Sequence, residues 1–88
     1  MINNLNIIIP LRDENEQAEI TVDLLNKEFK DFNKKILITL IDDHSTDDTW
    51  VLLEKLKNKY NNVEIYQNHY SPGYGNAVRV GIEKNQCD

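Results

Sequence analysis

Three polar clusters hold the side chains best suited to chemistry: Arg12 to Glu16, Asp42 to Asp47, and Asn68 to Gly75. Each follows an apolar run and is expected to leave the carboxyl end of a strand, where open α/β sheets gather their ligands. Asp42 and Asp43 stand directly behind Ile36-Leu37-Ile38-Thr39-Leu40-Ile41. A carboxylate carried on a rigid strand can accept hydrogen bonds from a base or a ribose. Asp43 reads equally as a cap for the backbone of Ser45 and Thr46 or for the next helix, so Asp42 is the sharper ligand-binding candidate. His44 completes an Asp-Asp-His run, yet three neighbours on an extended exit cannot all face one ion without a tight turn. No metal ligands are therefore expected in this run. His44 and His69 both suit solvated turns as well as a ligand.

Gly73-Tyr74-Gly75 precedes a helix and would bring backbone close to a ligand. It lacks the full dinucleotide fingerprint and follows the third strand instead of the first. Arg79, one helical turn further on, suits either a phosphate or a surface ion pair. No Gly-x-Ser-x-Gly elbow and no Walker-type glycine loop occurs in the sequence, which excludes the usual serine-triad hydrolase and P-loop ATPase readings.

The elements that position these clusters follow from periodicity. Leu5-Asn6-Ile7-Ile8-Ile9 predicts a strand stopped by Pro10. Ala18, Val22, Leu25, Phe29 and Phe32 recur at helical spacing, with Ile20 and Leu24 widening the stripe, so a helix is expected from about Asn15 to Phe32. The run Ile36 to Ile41 predicts a strand covered on both faces. Ser45 and Asp48 have capping-box spacing for a second helix running to about Tyr60, with Thr49, Leu52, Leu53, Leu56 and Tyr60 inward and Trp50 on its flank. Val63 to Gln67 alternates as a peripheral third strand. Ala77, Val78, Gly81 and Ile82 mark the inward face of a last helix, where Gly81 suits close backbone packing. Right-handed crossovers then give a parallel sheet in the order three, two, one, a three-layer, doubly wound α/β fold with helices on both faces.

Composition narrows the partners. The 88 residues carry ten Lys+Arg against fifteen Asp+Glu, a net charge of −5. With Arg12 and Arg79 as the only arginines, an extended nucleic-acid backbone is excluded as a partner, whereas one nucleotide needs only local donors. One cysteine, Cys87, forms no internal disulfide framework and fits a reducing compartment. The longest apolar run is far below the roughly 20 residues of a membrane span, and no signal peptide is read, so a cytoplasmic location is expected.

The segments Ile7-Ile8-Ile9-Pro10-Leu11-Arg12-Asp13-Glu14-Asn15-Glu16, Ile41 to Thr49 and Gly73 to Gly81, in this order, resemble the start of a family 2 glycosyltransferase with the GT-A fold. The similarity is to polyprenyl-phosphate sugar transferases of the dolichol-phosphate mannosyltransferase type and spans nearly all of the chain. It implies nucleotide contacts by Pro10, Leu11, Arg12, Glu14, Asp42, Asp43, Gly73, Gly75 and Arg79, with Asp13 a further candidate beside the base and ribose and Asp42 at the base. His44 stands where the family commonly has glycine. The segment Asn68 to Gly73 is longer than the family's usual approach, and Cys87-Asp88 stands where Gly-Asp often introduces the next strand.

The resemblance further implies a sugar transferred from a UDP- or GDP-linked donor to an acceptor hydroxyl or a polyprenyl phosphate, with Mg2+ or Mn2+ assisting the full-length enzyme. The family's metal-binding Asp-x-Asp and its catalytic base are absent from these 88 residues. Residues 1–88 are therefore expected to be a truncated N-terminal nucleotide-binding portion, inactive alone. The alternative is a small non-catalytic α/β regulatory or oligomerisation module, a homo-oligomer built on an open sheet edge. A receiver-like signalling module, suggested by acids behind strands, lacks the later lysine it needs.

Overall fold

The structure is a computed structural model that describes residues 4–32 and 35–85. Cys87 and the Cys87-Asp88 pair lie outside the described residues. Strands and helices alternate: β1 (Asn4–Leu11), α1 (Asn15–Glu28), β2 (Lys35–Asp42), α2 (Thr49–Lys59), β3 (Val63–Gln67) and α3 (Tyr74–Glu83). The strands are all parallel in the order β1-β2-β3, as the crossover argument requires.

Strand alternation divides the core between two faces. Ile38 and Leu40 point from β2 towards α1 and α2, where they meet Leu11, Ala18, Val22, Leu53, Leu56 and Val63. Ile41 points to the opposite face and packs with Ile8, Tyr66, Ala77 and Val80 under α3. Helix layers thus cover both faces of β2, which is why its sequence is apolar at successive positions and not only at alternate ones. At the far end of the layer, Asn62 donates its side-chain amide to Asn26 at 2.8 Å and the Tyr60 hydroxyl donates to Asp23, fastening α2 to α1.

Gly81 sets the separation of α3 from the sheet. A Cβ there would lie 2.4 Å from Ile8 Cγ2 and 3.0 Å from Ile41 Cδ1, so only glycine allows this approach.

Several boundaries differ from the sequence expectation. β1 continues through Pro10 and Leu11. The Leu11 carbonyl accepts the Asp43 N–H on the β2 side, so alternation turns Pro10, which has no N–H, towards the open edge, where no ladder bond is lost. α1 ends at Glu28 and not near Phe32; Phe29 and Lys30 close it with bonds to Leu25 and Lys27. Ile20 and Leu24 do not widen the buried stripe, being 57% and 54% exposed. On α3 the inward residues are Ala77, Val80 and Gly81, whereas Ile82 is exposed. The Ser45/Asp48 capping box does not form: Asp47 accepts the Thr49 N–H at 2.9 Å instead.

Candidate functional site

Backbone bonds carry the sheet past its last ladder pair. The Asp43 N–H donates to the Leu11 carbonyl at 2.8 Å, and the Asn68 N–H donates to the Asp42 carbonyl at 2.9 Å. The exits of β1, β2 and β3 are therefore held side by side, and the three polar clusters converge at one edge.

Asp42 and Asp43 are both buried, at 6% and 5% exposure, but their carboxylates do different work. Asp42 Oδ1 accepts the Ser45 N–H at 3.2 Å. Among the described residues nothing donates to its Oδ2, and Asp42 lines a pocket of roughly 210 Å³ with His44, Ser45, Gln67 and Asn68. Asp43 is committed internally. Its Oδ1 accepts the Asn68 amide at 2.9 Å, and both its oxygens lie 3.1 Å from the Gly73 nitrogen. Burial pushes the Asp43 carboxyl up, but the bonds from Asn68 and Gly73 and the charges of Arg12 and His44 outweigh it and hold it below the ordinary 3.8. The alternative assigned to Asp43, capping the turn of Ser45 and Thr46 or α2, is corrected: Asp42 takes Ser45, and Asp43 holds Gly73, the N-cap of α3.

Pro10, Leu11, Arg12, Glu14, Asp43 and Tyr74 line a second pocket of roughly 160 Å³. Five sequence candidates therefore share one pocket, and Asp42 lines its neighbour on the other side of the β2 exit. Arg12 and Glu14 are exposed at its rim. Asp13 turns away from it: its carboxylate accepts the N–H groups of Thr46 and Asp47, at 2.7 and 3.2 Å. The Thr46 backbone bond is the leading cause that holds the Asp13 carboxyl below 3.8.

Gly73, Gly75 and Arg79 lie outside both pockets. Gly73 has φ +145 and gives its N–H to Asp43. Gly75 lies in the first turn of α3 beside open space. The Arg79 guanidinium lies 4.0 Å from the centroid of the Tyr70 ring, with its Nε 4.0 Å from Glu83. The Tyr70 hydroxyl in turn donates to Glu83 at 2.7 Å, so these three side chains fasten the third loop to α3. His44 occupies the left-handed region at φ +58, the conformation glycine would adopt without cost. Its Nε2 donates to the Tyr70 carbonyl at 2.8 Å, linking the second loop to the third.

The sequence reading placed Asn68 and Tyr74 in the third polar cluster but gave neither an individual role. Asn68 directly follows β3 as Asp42 ends β2, so its position behind a strand was the available signal. Tyr74 is 74% exposed. Its aromatic ring between two glycines was visible in the sequence, but nothing there distinguished a pocket wall from a solvated turn.

The fit to a metal is poor. Among the described residues, no three His, Cys, Asp or Glu side chains converge closely enough to hold an ion. No helix among them is long and apolar enough to cross a membrane.

A three-stranded parallel sheet, sandwiched by helices and presenting buried acids at its carboxyl edge, is part of the GT-A fold of nucleotide-sugar transferases. Residues 6–88 match Glycosyl transferase family 2, and the chain belongs to that family. A mannosyltransferase from Pyrobaculum calidifontis, solved in complex with GDP-Man and Mn2+, superposes with a TM-score of 0.77 at 18% sequence identity. The match covers 93% of this chain and 24% of that one, so the chain spans about a quarter of that protein's length. No curated sequence matches significantly.

Proposed function

We propose that this chain provides the nucleotide-binding portion of a glycosyltransferase that moves a sugar from a nucleoside-diphosphate donor to an acceptor hydroxyl or a polyprenyl phosphate. The carrying observation is Asp42. It is a buried carboxylate at the end of the central strand, with one oxygen fixed by Ser45 and the other met by no donor among the described residues. Such a group supplies an oriented acceptor for the N–H groups of a base edge or the hydroxyls of a ribose. Arg12, at the rim of the adjoining pocket, supplies the cation for the phosphates. Family membership supports this reading, and the GDP-mannose of the structural neighbour makes GDP the first ligand to test beside UDP.

The part that touches the nucleotide is separable from the part that would activate an acceptor. The 88 residues contain no Asp-x-Asp, and the described acids do not fit a metal. Transfer by this chain alone is not expected. Calorimetric titration with GDP and UDP tests the binding reading. Saturable binding by the native chain that falls at least about tenfold in Asp42→Ala supports it, as expected for loss of a hydrogen-bonded charged acceptor. Equal affinity of the two proteins overturns it.

A further inference from the structure

The turn that carries Asp42 is held from the β1 side by a residue outside both pockets. Asp13 has a left-handed backbone, φ +53, which Asp, Asn and Gly adopt more readily than other residues. That conformation lets the residue grip the 45–47 segment with both its backbone and its side chain. Its N–H donates to the Ser45 hydroxyl at 2.9 Å, while its Oδ1 accepts from Thr46 and Asp47. Ser45 then passes the constraint on, because its own N–H donates to Asp42 Oδ1. One residue therefore separates Asp13 from Asp42 along a continuous hydrogen-bonded path. Asn15 adds a parallel tie from α1, through its amide to Asp48.

We propose that Asp13 is a positioning residue: it clamps the β2–α2 turn so that Asp42 Oδ2 stays presented to the nucleotide. This inference rests on the nucleotide-binding reading above, but the clamp itself can be tested without a ligand. The chemistry ranks the replacements. Asparagine keeps the left-handed preference and one acceptor oxygen, glycine keeps the backbone and loses the acceptor, and alanine loses both.

The test is a GDP titration of the native chain, Asp13→Asn, Asp13→Gly, Asp13→Ala, Asp42→Asn, and the double variant Asp13→Gly with Asp42→Asn. Asp42→Asn retains an oxygen for Ser45 while presenting an amide where the free acceptor stood. Contacting residues, or residues in one hydrogen-bond network, couple non-additively, so Asp13→Gly is expected to weaken GDP binding about tenfold alone but less than about twofold in the Asp42→Asn background. Asp13→Asn is expected to restore affinity to within about threefold of native. A folded Asp13→Gly with native affinity, or an equal loss in both backgrounds, overturns the proposal. If the native chain binds neither GDP nor UDP, the functional reading fails, and amide hydrogen exchange decides the clamp. Thr46 and Asp47 amides are then expected to exchange faster in Asp13→Gly than in the native chain, and unchanged protection overturns the clamp.

Discussion

The Asp43 carboxylate sits astride the Gly73 backbone N–H, with both oxygens 3.1 Å from the nitrogen, across 30 positions of sequence. That contact ties the exit of the central strand to the N-terminus of α3, and Asn68 closes it from the third loop at 2.9 Å. Asp43 therefore acts on the architecture of the edge, whereas its neighbour Asp42 keeps one oxygen that no donor meets among the described residues.

Asp43→Ala is expected to destabilise the fold by about 1–3 kcal/mol, because it takes the acceptor from the Gly73 N–H and from the buried Asn68 amide, which keeps only its bond to the Ser71 carbonyl. Urea unfolding followed by circular dichroism measures this. A loss below about 0.5 kcal/mol, the size of an ordinary surface substitution, contradicts the assigned role.

The same carboxylate has a predicted acid signature. Its folded value lies below the ordinary 3.8, so the unfolded state binds the proton more readily. The resulting stabilisation is fully present above pH 3.8 and is lost as pH falls through the lowered folded value. The stability of Asp43→Asn should consequently fall less steeply with acid below pH 3.8 than that of the native chain. Parallel acid limbs would show that Asp43 contributes nothing to the linkage.

Much of this arrangement was legible in the sequence. β2 announced its central place through six consecutive strand-forming residues between a lysine and two aspartates, a pattern that only a doubly covered strand explains. From that strand the parallel order and the converging loops followed. Division of labour between Asp42 and Asp43 was not legible, because two adjacent aspartates differ only in which partners come to them, and Ser45, Asn68 and Gly73 come from different distances along the chain. The misplaced capping box has a similar cause. Ser45 and Asp48 have the right spacing, but the Ser45 hydroxyl is taken by Asp13, a tertiary contact that local spacing does not encode.

Gly81→Ala tests how closely α3 approaches the sheet. The added methyl would lie 2.4 Å from Ile8 Cγ2, and such overpacking is expected to cost about 1–3 kcal/mol despite the gain in helix propensity. Pairing it with Ile8→Ala removes the obstructing branch and should recover part of that loss. Thermal denaturation of the single and double variants reads the coupling; strict additivity would place the clash elsewhere.

At His44 the backbone conformation yields a differential prediction. His44→Gly should be more stable than His44→Ala by about 1 kcal/mol, since both lose the bond to the Tyr70 carbonyl and only alanine keeps a Cβ in the left-handed region. Equal unfolding midpoints for the two variants would contradict a left-handed residue at this turn.

If this edge binds a nucleoside diphosphate through Asp42, calorimetric titration of GDP and UDP into the native chain and Asp42→Ala will show it. Saturable binding of at least one of them by the native chain, weakened by about tenfold or more in a folded Asp42→Ala, is the predicted result. Native affinity retained in Asp42→Ala, or no binding of either nucleotide to the native chain, would contradict it.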